Sequence, residues 1–116
     1  MDSILNSIKK LLGMPADYKA FDDDIIMNIN SVLLTLNQIG VGPKKPFVIK
    51  SSDETWEQFL PNIHELEPVK MYVFMKVKLA FDPPASSTAL ESYKSQIAEL
   101  EWRLNSIVDF GDKDDE

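Results

Sequence analysis

The sequence predicts a small, mainly α-helical bundle of about four helices that ends in a long C-terminal helix. Apolar residues recur at spacings of three and four along most of the chain, which is the period of one helix face. Glycines and prolines interrupt this pattern at a few places, where helices are expected to end. The longest interruption, near residues 41–53, is predicted to be a loop or a short β-hairpin inserted into the bundle.

Two helices are predicted in the first third of the chain. The first covers residues 3–12, with Ser3 as its N-cap and Gly13 as its C-terminal stop. The second covers residues 22–39, and the aspartates at 22–24 are expected to supply its cap and to complement the helix dipole. Each helix carries an apolar stripe, which must be covered by a neighbouring element.

The stretch at 40–53 is unsuited to a helix because it contains two glycines and two prolines. Phe47 begins a short apolar run that is able to form one strand. The segment is also locally basic, with Lys44 and Lys45 next to each other. Two interpretations remain open: a solvated connecting loop, and a loop that docks onto a partner subunit through Lys44, Lys45 and Phe47.

The helix predicted over residues 65–81 is apolar around nearly its whole circumference. Pro68 is tolerated because it is expected in the first turn. A helix of this kind must lie at the centre of a fold. In so short a chain we expect another subunit to cover one of its faces, which makes Tyr72, Phe74 and Met75 candidate interface residues.

The last helix is predicted to begin at a cap formed by Ser86 or Ser87 and to end near Val108. Its apolar residues form a seam with alternating spacings of three and four: Leu90, Tyr93, Ile97, Leu100, Leu104 and Ile107. The seam packs either inside the bundle or against another chain as a coiled coil. Trp102 stands off the seam and is a candidate contact to a partner.

The chain is predicted to divide into one helical domain at 1–108 and an acidic, disordered tail at 109–116. The tail carries five acidic residues together with Phe110. Phe110 is a candidate contact to another subunit or to the portal.

The composition excludes several classes of function. The net charge of -7 opposes binding to nucleic acid, and the chain's only arginine, Arg103, leaves no recognition helix. There is no cysteine, and the single histidine, His64, lacks an orienting partner, so we predict neither catalysis nor a metal or cofactor site. No apolar run is long enough to cross a bilayer.

Several segments, taken in order, resemble one known family. An apolar helix leads into Phe-Asp-Pro-Pro at 81–84, and Glu-Leu-Glu-Trp-Arg-Leu-Asn follows at 99–105. Near the start, Asp-Asp-Asp-Ile-Ile at 22–26 precedes Ile-Gly-Val-Gly-Pro at 39–43. From residue 2 to about 108 this order resembles the head-tail connector, or adaptor, proteins of long-tailed bacteriophages and prophages. Pro68 departs from the pattern, where an ordinary helix former is expected.

The resemblance implies a structural virion assembly protein that is not an enzyme and needs no cofactor. Such connectors form a ring of about a dozen copies beneath the portal, which requires head-to-tail contacts between copies. They extend the DNA channel and join the capsid to the next tail-completion protein. The implied location is the head-tail junction of the virion, reached from the host bacterial cytoplasm, without contact with a membrane.

The charge of the chain and its acidic tail suggest how a connector of this kind would contact DNA and the portal. A negatively charged channel would let DNA slide without sequence-specific binding, since phosphates meet like charge. Phe110 and the acidic tail would order on contact with the portal. The main alternative is a small helical regulator that binds another protein as a monomer or dimer. A DNA-binding regulator ranks last because of the charge.

Overall fold

The computed structural model describes residues 2–60 and 63–114, and the side chains at 2–60 and 66–106. The predicted mainly α-helical bundle is confirmed. There are five helices in the described residues: α1 Ile4–Leu11, α2 Asp22–Ile39, α3 Trp56–Phe59, α4 Ile63–Phe81 and α5 Ser87–Asp114. These residues include no β-strand, and only an isolated antiparallel bridge joins Ser3 to Thr55.

The first two helices begin and end largely as predicted. The Ser3 hydroxyl accepts a hydrogen bond from the Asn6 amide at 3.2 Å, which confirms Ser3 as the N-cap of α1. The start of α2 requires a correction, because its N-cap is Phe21, which provides no side-chain cap. The aspartates at 22–24 instead lie inside the first turn, where they complement the helix dipole. Gly40 ends α2 in the left-handed conformation.

The segment after α2 is a loop, and the predicted short strand is absent from it. An amide side chain replaces a neighbouring strand: Asn30 donates to the Ile49 carbonyl at 2.9 Å and accepts from the Ile49 amide at 2.8 Å. The Ile49 side chain is buried in the core. These two bonds pair the amide and the carbonyl of Ile49 at the point where the loop enters the core. In a hairpin, the neighbouring strand would provide these hydrogen bonds.

The helix α3 connects this loop to the start of the chain. Thr55 and Gln58 form a reciprocal capping box at its beginning. The Trp56 amide donates to the Asp2 carbonyl at 3.1 Å, and its indole Nε1 donates to the Ser7 hydroxyl at 2.7 Å. Trp56 is fully buried, so α1 and α3 are held together by both apolar and polar contacts.

The helix α4 is the centre of the bundle, as its apolar circumference predicts. It packs against α2 and α5, with a smaller contact to α1. Its buried side chains are Val69, Tyr72, Val73, Met75 and Val77. The helix begins at Ile63, two residues before the predicted start, so Pro68 lies inside it and not in its first turn. A proline there removes one donor from the helix ladder.

The last helix packs its seam inside the bundle over the described residues. Ile97 and Leu104 are buried, and Tyr93 and Leu100 are half-buried. Its cap is Ser86, whose hydroxyl accepts from the Ala89 amide at 3.0 Å.

The predicted end of α5 near Val108 is corrected, because the helix continues to Asp114. Gly111 lowers helix stability but leaves the backbone hydrogen bonds possible, so it does not end the helix. The division into a domain and a tail at residue 109 stays a prediction.

Candidate assembly surface

The predicted docking loop lies on the surface, although one of its candidate residues is partly enclosed. Lys44 and Lys45 are exposed. Phe47 is half-buried and meets the Phe59 ring edge-on, with 5.5 Å between the ring centroids. The lysines are therefore accessible to a partner, and the role of all three in an interface stays a prediction.

The candidates on α4 are placed differently from the expectation. Tyr72 and Met75 are buried, because α2 and α5 both pack against this helix. Phe74 is half-buried and packs edge-on against Tyr93 of α5, with 6.5 Å between the rings. The fold itself covers Tyr72 and Met75, so these two side chains offer no free surface, whereas Met71 on the same helix is 46% exposed.

Of the two candidate contact residues near the C-terminus, Trp102 and Phe110, the structure describes the side chain of Trp102 alone. Trp102 is 70% exposed on the outer side of α5, beside an ion pair between Glu99 and Arg103 at 2.6 Å. Phe110 lies outside the residues whose side chains the structure describes. Trp102 thus remains available for contact with another protein.

An exposed aromatic cluster lies where α2 begins and α4 ends. The Tyr18 ring packs against Phe21 at a centroid distance of 5.9 Å, and Phe21 packs against Phe81 at 5.5 Å. Tyr18 is 46% exposed and Phe21 is 41% exposed. We name these three residues the aromatic corner. The sequence indicated Phe81 as a helix end but carried no periodic signal that brings it to residues 18 and 21.

A second exposed apolar feature runs along the outer side of α2. Met27 is 71% exposed, and Leu34, two helical turns later, is also exposed. Ser31 lies between them on the same face, which adjoins a shallow groove between α2 and α4. The apolar stripe predicted for α2 is the opposite, buried side of the helix. The periodic pattern of the sequence therefore does not indicate Met27 and Leu34 as exposed apolar residues.

The charges at the two ends of α2 have opposite signs. Asp23 and Asp24 are exposed beside the aromatic corner. At the other end, the Asn37 side chain donates to the backbone carbonyls of Pro43 and Lys44 at 3.1 and 3.3 Å, which fixes the start of the basic segment. A helix of 18 residues separates these ends by about 27 Å.

One buried polar group lies between the central and last helices. The Tyr72 hydroxyl is buried and makes no hydrogen bond of good geometry within the described part of the chain. Burial raises the pKa of Tyr72 to about 12, and the nearby Glu101 carboxylate adds to the rise through its charge and as a hydrogen-bond acceptor of the phenol proton. The hydroxyl therefore stays protonated across the physiological range, and it fulfils a structural role.

The described residues contain no group of three His, Cys, Asp or Glu side chains placed to hold a metal ion. Among the helices of that same region, none is long and apolar enough to cross a membrane. What the described surface does present is exposed apolar area and separated charge, and both are suited to contacts with protein.

A family model described as "Phage connector protein" matches residues 4–110, which is nearly the whole chain. No curated protein matches the chain, and no solved structure matches it.

Proposed function

Because the chain belongs to the family of phage connector proteins, we propose that it forms a ring beneath the portal and joins the capsid to the tail. In this role it extends the DNA channel and binds the next tail-completion protein. The observation that carries the proposal is the family match over residues 4–110, which extends from α1 into α5. The bundle therefore belongs to a structural component of the virion.

The exposed apolar side chains support assembly with other copies. Tyr18, Phe21, Met27 and Trp102 all present large apolar surface on a chain of only 116 residues. Exposed apolar area that is clustered and bordered by polar groups is typical of sites that contact other proteins. The surplus area was expected on α4, where Met71 is 46% exposed, but most of it lies on other elements, including α2, the segment before it and α5.

The charge of the chain is compatible with a DNA channel. A net charge of -7 gives a ring of many copies a large negative total. DNA phosphates are repelled by such a surface, so the duplex would pass without being held. The negative charge is thus compatible both with contacts between protein copies and with the passage of DNA.

Deleting this reading frame from its phage or prophage tests the proposal. Without the chain, heads and tails should accumulate separately, and electron microscopy should show few joined particles. Supplying the full chain in trans should restore joining. The proposal fails if joined virions form at the normal level without it. A regulator would instead change the amount of one or more virion proteins and leave the joining step intact.

A further inference from the structure

The aromatic corner is an apolar surface bordered by negative charge. Tyr18 and Phe21 present much of their rings to solvent, and Asp23 and Asp24 lie in the turn that follows. The other charges in this region largely cancel, since Lys78 pairs with Asp82 at 3.2 Å and Asp17 is followed closely by Lys19. Asp22 is likewise neutralised by Lys9. The corner is therefore suited to a partner that is both cationic and apolar.

The other end of α2 presents a surface of that kind. We name residues 43–50 the basic loop; it carries Lys44, Lys45 and Lys50 and contains no acidic residue. The Glu54 carboxylate accepts from the Lys50 amide at 3.0 Å and offsets the charge of that lysine, so the net positive charge is that of Lys44 and Lys45. Val48 is exposed in the same segment, and both adjacent lysines are exposed. The Asn37 contacts described above hold the start of the loop against α2, so its lysines are presented from a fixed backbone.

We infer that the basic loop of one copy docks onto the aromatic corner of the next copy, so that copies join head to tail. The inference deepens the proposed function and rests on it. Lysine ammonium groups are attracted to the faces of aromatic rings. Asp23 and Asp24 add direct charge attraction, and Val48 would bury apolar area against the rings. Each element of the loop thus meets a complementary element of the corner.

The position of the two surfaces determines the kind of assembly that results. The start of the basic loop is held at Asn37, about 20 Å along α2 from Asp23, so Lys44 and Lys45 do not reach the aromatic corner of their own copy. The loop then runs back along the helix to Asn30. A contact between two different surfaces is heterologous, and repeated heterologous contacts generate a ring when the rotation closes. A two-fold dimer centred on either surface would place like charges together, which is unfavourable. The charges therefore favour pairing of the loop with the corner, and the ring of the proposed function requires that this pairing be head to tail.

Charge reversal tests the pairing. Lys44→Glu/Lys45→Glu and Asp23→Lys/Asp24→Lys should each weaken self-association of the full chain by at least tenfold in sedimentation velocity. An equimolar mixture of the two variants should recover it, because every contact in an alternating array again joins opposite charges. Lys94→Glu, an exposed reversal on α5, is the matched control and should change little. Unchanged association in both double variants would overturn the inference. Circular dichroism verifies that each variant is folded.

Disulfide trapping detects the contact even when it is short-lived. The chain contains no cysteine, so Asp23→Cys/Lys45→Cys introduces the only two thiols. Mild oxidation at high concentration should give a ladder of covalent oligomers, whereas either single variant should give none. Dimers from one single variant would indicate a two-fold contact centred on that residue. A double variant that stops at a covalent dimer would indicate a reciprocal two-fold pair, and no covalent product would indicate no contact. Each of these results overturns the head-to-tail arrangement.

These outcomes are separable from failure of the connector function. If no ladder forms but the phage still needs the chain to join heads to tails, the docking arrangement is wrong and the connector function stands. If heads and tails join without the chain, the connector function is wrong whatever the trapping experiment shows.

Discussion

The ammonium group of Lys9 lies 2.7 Å from the carboxylate of Asp22, and the lysine is only 1% exposed. The same ammonium donates to the carbonyls of Ala16 at 3.0 Å and Tyr18 at 2.6 Å. One buried lysine at the end of α1 therefore holds the connecting segment and the first turn of α2 together. Through Tyr18, it also positions the aromatic corner.

Replacing this lysine should destabilise the fold. Lys9→Met leaves the Asp22 carboxylate and two backbone carbonyls without their donor, and the expected loss is about 3 kcal/mol of unfolding free energy. Lys10→Met is the matched control, because Lys10 is exposed, and it should stay within about 0.5 kcal/mol of the native chain. Urea denaturation measures both. Equal effects of the two changes would contradict the role of Lys9.

Alanine substitutions at Gly13 and Gly42 separate the energetic cost of backbone strain from the cost of side-chain crowding. Both have a positive φ, +87° at Gly13 and +92° at Gly42, so alanine is strained at either position. A Cβ at Gly42 would lie 2.7 Å from the Phe59 ring, whereas at Gly13 no atom lies within 4 Å. Gly13→Ala should cost about 1 kcal/mol from the backbone alone. Gly42→Ala should cost about 3 kcal/mol because crowding is added, and thermal or urea denaturation would show whether the two differ.

The two tryptophans should respond in opposite ways. Trp56 is buried and donates to Ser7, so Trp56→Phe should cost about 2 kcal/mol through lost packing and a lost hydrogen bond. Trp102→Phe, on the exposed side of α5, should change stability by no more than about 0.5 kcal/mol. Fluorescence separates them: acrylamide should quench Trp102 strongly and Trp56 weakly. Equal quenching in the two single-tryptophan variants would contradict the packing described.

The raised pKa of Tyr72 predicts a loss of stability at alkaline pH. The folded chain holds the phenol proton up to about pH 12, whereas an unfolded tyrosine releases it near pH 10. The contribution is therefore fully present below about pH 10 and is lost as the pH rises toward 12. Tyr72→Phe should remove this part of the pH dependence and should change stability by less than about 1 kcal/mol at neutral pH, since the buried hydroxyl has no hydrogen bond of good geometry to lose. Urea denaturation between pH 8 and pH 12 measures it, and an unchanged slope in the variant would contradict the assignment.

The sequence predicts those elements that local rules determine. The periodic apolar residues located α1, α2, α4 and α5. The hydroxyl of Ser3 located the cap of α1, and the absence of a side chain at Gly40 located the end of α2. The central position of α4 followed from its apolar circumference. In each case the physical cause lies within a few residues of the element itself.

The sequence could not predict features that depend on distant partners. Lys9 carries the ordinary signature of a helix C-terminus, and only the path of residues 13–21 turns it into a buried ion pair. The Asn30 side chain takes the place of a strand next to Ile49, although the two are 19 positions apart. The aromatic corner likewise brings Phe81 to Phe21 across the bundle. Periodicity carries no information on such pairs.

The interface residues illustrate the same limit. Tyr72 and Met75 are apolar enough to suggest an interface, but burial by α2 and α5 is a property of the assembled fold. Conversely, Met27 and Leu34 stand on the side of α2 that the dominant stripe leaves unmarked. Trp102 was identifiable because it departs from a regular seam, and that is the kind of exception a sequence can show.

The most direct measurement of the central claim is electron microscopy of the purified full chain bound to its portal. We predict a closed ring of copies on one face of the portal, coaxial with the channel, with the basic loop of each copy against the aromatic corner of the next. One or two isolated copies on the portal, or no binding at all, would contradict the account.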